Sequence, residues 1–276
     1  MGAGDGAIFA RQSADVDGVR VSYLEGGTQR DLDPVLYLHG LGGGGKWESF
    51  NMAMGTVTRT IAPMLPGWQD GELPEVVSAP KDYTSLLVKF LDGLGLDRVT
   101  VVGHSIGGWI AQYLAVEQPE RCSQLVLIDA MGFDVPGAPA ADLAALDEES
   151  FGKAAFAKLG LVASAQPDGF GAVWDDLRQG PEFEREWDGR NLMLQLLRDG
   201  SADPELSARL KDVHAKTLLV WGKLDGIVPS AQAEAVHSWV PGSQLELVDQ
   251  AGHLPMFERR ETMNRMIHEF LTAAAS

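Results

Sequence analysis

The sequence predicts an α/β fold: a mostly parallel sheet with helices on both faces, interrupted by one helical insertion. Three observations carry this prediction. Short apolar runs rich in β-branched residues recur along the chain, helical patterns separate them, and glycines fall directly after several of the runs. Strands buried on both faces read as continuous apolar runs, and a chain leaving such a strand needs a tight turn. The 276 residues suffice to bury about three quarters of the surface of the unfolded chain, so the fold needs no staples.

Val19 to Glu25 alternates apolar and polar side chains and reads as a half-buried strand. Val35 to Leu38 and Arg59 to Leu65 are apolar runs closed by His39-Gly40 and Pro66-Gly67. In Tyr83 to Leu94, residues Leu86, Leu87, Phe90, Leu91 and Leu94 recur at helical spacing, with Gly95 placed to cap the end. Arg98 to Val102 is the next strand, followed by a glycine turn and a helical run through Val116. Gln124 to Ile128, Thr217 to Trp221 and Leu245 to Val248 repeat the buried-strand pattern, and a helical pattern from Met256 to Leu271 closes the chain. Residues 132–212 contain no strand-like run and read as short helices parted by Pro136, Pro139, Pro167 and Pro181. The expected organisation is therefore a core of residues 1–131 and 213–276 carrying a lid of residues 132–212.

The formal charge of −17 supplies the wrong field for a polyanion, so nucleic acid and anionic membrane surfaces are poor partners. Nine of those charges fall between Asp134 and Glu205, where 15 acids face 6 bases, so a neutral small-molecule substrate is expected to pass the lid more easily than an anion. The single cysteine, Cys122, rules out an internal disulfide, and no Cys/His spacing resembles a zinc site, so no metal is expected. Met1 to Gln12 lacks the basic and apolar regions of a secretory signal, and no stretch is long and apolar enough for a membrane helix. A cytoplasmic location is the expectation.

Gly103-His104-Ser105-Ile106-Gly107 fits G-x-S-x-G, after a predicted strand and before a predicted helix. The plain alternative is a glycine-rich turn with an incidental serine. A serine hydroxyl needs a base, and the base needs an acid to hold its tautomer. His253 and Asp225 each follow a predicted strand, which puts both at the edge of the sheet where Ser105 lies, in the chain order Ser, Asp, His. Asp129, also at a strand end, competes with Asp225 for the acid. The loop from Gly40 to Gly45 superficially fits two nucleotide-binding patterns, but Trp47 occupies the hydroxyl position of the P-loop, and no acid ends the following strand as dinucleotide binding requires. An oxyanion loop is the better reading, with His39 as its brace and His104 packed beside the serine. His214, His237 and His268 read as helix-surface residues, Cys122 as a small, partly buried one. Trp47, Trp109, Trp174 and Trp187 are pocket candidates, although tryptophans more often serve as plain core.

With these motifs in order, together with Leu65-Pro66-Gly67, Leu219 to Asp225 and Ala251-Gly252-His253-Leu254-Pro255, the chain resembles the α/β-hydrolase superfamily over about Val19 to Leu271. It is most similar to the small lid-bearing members: esterases, lactonases, cofactor-free haloperoxidases and carbon-carbon bond hydrolases. The resemblance implies a sheet of the eight-stranded type, no cofactor, and oxyanion donors from the backbone N–H groups of Leu41 and Ile106. Met64 and Arg260 depart from residues common in the family, away from the three candidate catalytic side chains. Serine at position 105 argues against the dehalogenase and epoxide hydrolase branches, which use aspartate there. His104 and Leu254 stand where carbon-carbon hydrolases often carry Asn and Trp. The expectation is a serine hydrolase of carboxylic esters or lactones acting through an acyl-enzyme. The alternatives are a carbon-carbon hydrolase of ring-cleavage diketones, for which Arg190 offers an anion contact, and a non-catalytic ligand receptor.

Overall fold

The computed structural model describes residues 10–28, 32–41, 44, 49–68, 73–157, 191 and 193–273. Eight strands form one sheet: β1 (Ala10–Val16), β2 (Val19–Gly26), β3 (Val35–Leu38), β4 (Thr60–Pro63), β5 (Val99–His104), β6 (Cys122–Ile128), β7 (Lys216–Gly222) and β8 (Gln244–Val248). Their order is β1-β2-β4-β3-β5-β6-β7-β8. The β1/β2 and β2/β4 pairs are antiparallel, and every pair from β4/β3 to β7/β8 is parallel.

Alternation along the strands divides the core in two. Leu36, Leu38, Val101, Leu125, Leu127, Leu219 and Trp221 point to one side, where α2 (Tyr83–Gly93) and α3 (Ile106–Glu117) pack with Leu87, Phe90, Ile110 and Leu114. Val35, Tyr37, Val102, Val126, Ile128, Leu218 and Val220 point to the other. There α1 (Ser49–Gly55) brings Phe50 and Met54, and the C-terminal helix brings Met263, Ile267 and Phe270. Because both faces are covered, β3 to β7 could not have shown the polar alternation that marks a half-exposed strand.

The structure adds elements that the pattern did not suggest. β1 is an edge strand, ARQSADV, with Arg11, Ser13 and Asp15 exposed on one face and an inner face on which Gln12 interrupts the few small apolar residues, so only Ala14 and Val16 reach the core. Helix α1 was unforeseen, as was a helix over Ser230–Trp239. The closing helical pattern is two helices, Pro255–Glu258 and Arg260–Thr272, because Arg259 at φ −131° and ψ 47° leaves the helical region between them. His237 and His268 lie exposed on helices, whereas His214 lies in a loop before β7 and not on a helix. Cys122 is buried outright.

Of the expected lid, residues 158–190 and 192, including Trp174, Trp187 and Arg190, lie outside the described residues, as does Trp47. Its described part holds α4 (Glu148–Ala155), capped by Asp147 accepting from the Ser150 N–H at 2.8 Å, and α5 (Pro204–Arg209), capped by Asp203. A parallel bridge joins Gly132 to Ala202, a β contact among the described residues of the insertion that its sequence did not suggest. Among the described residues no helix is long and apolar enough to cross a membrane.

Candidate active site

The six parallel strands end on one edge, and the loops that follow them meet there. β5 runs into Ser105, which adopts φ 55° and ψ −121° before α3 begins at Ile106. A non-glycine residue at positive φ is costly, and this turn is held because its surroundings leave no other path. The Ser105 N–H donates to the Ile128 carbonyl at 3.0 Å, and the Ser105 carbonyl accepts from Trp109 and Met131. Gly107 lies so close to the end of β3 that a Cβ there would stand 2.3 Å from the Leu38 oxygen and 2.5 Å from that of His39. The helix therefore starts flush against the sheet with the serine hydroxyl above it.

Ser105, His253 and Asp225, 148 and 28 positions apart along the chain, form one hydrogen-bonded row. Asp225 Oδ2 lies 2.8 Å from His253 Nδ1, and since a carboxylate accepts, Nδ1 carries the proton. His253 Nε2, 2.8 Å from Ser105 Oγ, is then free to accept the hydroxyl proton. The other Asp225 oxygen accepts from the Ile227 and Val228 N–H groups at 2.7 and 2.9 Å, which fixes the carboxylate. All three side chains are buried. Asp129, the competing acid, is not on His253; its Oδ1 accepts from the Gly222 N–H at 2.8 Å.

Two neutral imidazoles frame this row. His104 donates from Nε2 to the His253 carbonyl at 2.8 Å, and burial holds its pKa down to about 3. His39, pushed by burial to about 4, donates from Nδ1 to the Gly40 carbonyl at 2.7 Å and accepts the Leu65 N–H on Nε2 at 3.0 Å. The Gly40–Leu41 peptide is trans, so with its oxygen held by His39 its N–H points the opposite way. On the far side of Leu41, the Trp68 indole N–H donates to the Leu41 carbonyl at 2.8 Å. The loop lies on the serine, since a Cβ on Gly40 would stand 3.1 Å from Ser105 Cβ. Ile106 N–H is in the first turn of α3, where amides have no intrahelical acceptor. Trp68 was absent from the sequence reading; its signal, an aromatic residue just after Leu65-Pro66-Gly67, is legible only once His39 and Leu41 are known to be neighbours. Trp109 is buried, with Gly132 packed against its indole ring.

The insertion between β6 and β7 reaches the row through backbone. The carbonyls of Ala154 and Ala155, ending α4, accept from the N–H groups of Gly226 and His253 at 3.0 and 2.7 Å. Glu258 accepts the Gly252 N–H at 2.7 Å and that of Ala157 at 3.3 Å, tying the same segments together. Asp129, Asp225 and His253 offer ligand atoms within 4.8 Å of one another, but a cation there would have to displace the Asp225–His253 hydrogen bond.

A family model described as alpha/beta hydrolase fold matches residues 33–260. The chain belongs to the α/β-hydrolase fold family. Over 95% of its length and 94% of the relative's it is 26% identical to 2-hydroxy-6-oxononadienedioate/2-hydroxy-6-oxononatrienedioate hydrolase 1 of Pseudomonas putida. It is 29% identical, over 96% of its length and 70% of the relative's, to the dihydrolipoyllysine-residue acetyltransferase component of the acetoin cleaving system of Cupriavidus necator. A crystal structure of the meta-cleavage product hydrolase of Pseudomonas fluorescens IP01 superposes with a TM-score of 0.72 at 21% identity, covering 95% of this chain and 98% of that one, a likeness of fold. This α/β hydrolase thus has the eight-stranded, mostly parallel sheet that its sequence implied.

Proposed function

We propose that this α/β hydrolase is a serine hydrolase that breaks a carbon-carbon bond next to a ketone in a vinylogous diketone of the ring-cleavage type. The single observation that carries the reaction type is the row from Asp225 through His253 to Ser105, with both links at 2.8 Å. The bond class is supported by relatives named as hydrolases of such products, which match over nearly the whole of both chains.

In this reading Ser105 Oγ adds to the ketone carbon while its proton passes to His253 Nε2. Asp225 stabilises the imidazolium and fixes its orientation. The oxyanion is received by the N–H groups of Leu41 and Ile106, aimed by the braces described above and needing no rearrangement as the charge develops. The carbon-carbon bond then breaks, its electron pair moves through the double bond into the second carbonyl, and His253 returns the proton to the departing fragment. Water, deprotonated by the same imidazole, attacks the acyl-Ser105 ester and releases a carboxylic acid. The site needs no cofactor for these steps.

Ester or lactone cleavage through the same acyl-enzyme is the second reading. His104 and Leu254 favour it, as does the acidic insertion, which repels the carboxylates that ring-cleavage products carry. Wild type and Ser105→Ala assayed on a 2-hydroxy-6-oxodienoate and on short p-nitrophenyl esters separate the readings. Turnover of the dienoate that disappears in Ser105→Ala supports the first. Ester turnover with an inert dienoate replaces it with the second. Inertness to both, with no labelling of wild type by a fluorophosphonate, leaves a binding protein.

A further inference from the structure

The reaction just outlined leaves unused a carboxyl that is wholly inaccessible to solvent. Asp129 closes β6 in the left-handed region, φ 44°, with its N–H on the Val220 carbonyl at 3.0 Å. One oxygen accepts from Gly222, and the other, Oδ2, is buried with no N–H or O–H donor opposite it. Asp225, its neighbour, already takes three N–H donors, from His253, Ile227 and Val228. Two facing carboxylates without a cation between them repel strongly in so dry a place, and the relief is a proton shared on the one with fewer donors.

We infer that Asp129 is a positioning residue that carries a proton at neutral pH and donates its O–H to the Asp225 carboxylate, holding Asp225 Oδ2 on His253. This rests on the proposed roles of Ser105, His253 and Asp225. Burial, more than any other cause, pushes the Asp129 carboxyl well above its ordinary 3.8; the charge of Asp225 adds to this, the Gly222 N–H opposes it, and Glu258 adds a smaller push in the same direction. The groups around it are therefore two acids, Asp225 and Glu258, with His253 beyond Asp225, while His104 on the adjacent strand stays neutral. A protonated acid gives Asp225 a fourth donor and removes the freedom of its carboxylate to turn away from the imidazole.

Asparagine reproduces that acid, with an N–H donor for Asp225 and an oxygen for Gly222; alanine reproduces neither. The expected result is that fluorophosphonate labels Ser105 in Asp129→Asn within about threefold of the wild-type rate, whereas Asp129→Ala labels at least about tenfold more slowly. The second measurement is Tm against pH from 4 to 8 for wild type and Asp129→Asn. A carboxyl that keeps its proton when folded and loses it when unfolded costs stability progressively as pH rises above 3.8. The Tm of Asp129→Asn relative to wild type must therefore climb with pH, and a residue that only fills space leaves that difference flat. Equal slowing in both variants, or a flat difference, overturns the inference. If wild type itself is not labelled, the proposed function fails instead, and the Tm comparison still decides the protonation of Asp129.

Discussion

Acid should destabilise the proposed oxyanion loop through His39, and the size of the effect follows from the burial of its ring. Nδ1 donates to Gly40 and Nε2 accepts from Leu65, so a second proton on the ring would point Nε2–H at the Leu65 N–H. Burial holds the pKa of the folded imidazole down to about 4, against 6.5 for the exposed group, although the Gly40 hydrogen bond acts the other way. Below pH 6.5 the unfolded chain binds a proton that the folded chain refuses, so this contribution is fully present above 6.5 and is lost as pH falls toward 4. One proton corresponds to about 1.4 kcal/mol per pH unit, or roughly 3 kcal/mol over the whole window. His39→Gln keeps a donor and an acceptor but does not titrate. Urea unfolding at half-unit steps from pH 7.5 to 4.5 gives the stability of both proteins by linear extrapolation. Whatever packing cost the glutamine carries is the same at each pH, and the other histidines cancel. The stability advantage of wild type over His39→Gln should shrink by roughly 2 to 3 kcal/mol across the series. Parallel profiles would show that the folded protein accepts a second proton on His39 and would refute the neutral ring on which the aim of the Gly40–Leu41 peptide rests.

Gly107→Ala places a methyl 2.3 Å from a backbone oxygen of β3, and a strand end cannot give way as a flexible side chain can. It should destabilise by about 1–3 kcal/mol and depress Ser105 labelling, and an unchanged Tm would show that the helix start has slack. Trp68→Phe keeps the ring and removes the N–H bonded to the Leu41 carbonyl, so kcat should fall about three- to tenfold with KM little altered. A change confined to KM would place Trp68 in substrate binding instead.

Much of this geometry was legible in the sequence because the residues concerned announce themselves locally. Strands β3 to β7 are nearly continuous apolar runs, G-x-S-x-G and Asp225 each sit just past such a run, and His253 follows the alternating strand β8, so the shared sheet edge followed from topology. β1 escaped because only Ala14 and Val16 of its inner face reach the core, too short an apolar alternation to read. The break at Arg259 escaped because the apolar spacing continues on both sides of it. Trp68 and the charge state of Asp129 escaped for another reason: each depends on a partner far away in sequence, Leu41 in one case and Asp225 in the other. Spacing along a chain carries no information about such encounters.

The carbonyls of Ala154 and Ala155 grip the loops that bear Asp225 and His253, and this sets a limit on how insertions of this kind are exchanged. An insertion between β6 and β7 is not a detachable module here, since two of its peptide groups serve as fixed points for the loops of Asp225 and His253. A chimaera that replaces residues 132–212 wholesale removes those fixed points together with whatever selects the substrate, and a lost activity then says nothing about selectivity. Exchanges that begin after Ala157 leave the anchors in place. The same contacts limit divergence on the facing loops: a Cβ on Gly226 would stand 2.9 Å from the Ala154 oxygen and one on Gly252 2.5 Å from that of Ala155, so neither position admits a side chain while the last turn of α4 stays where it is.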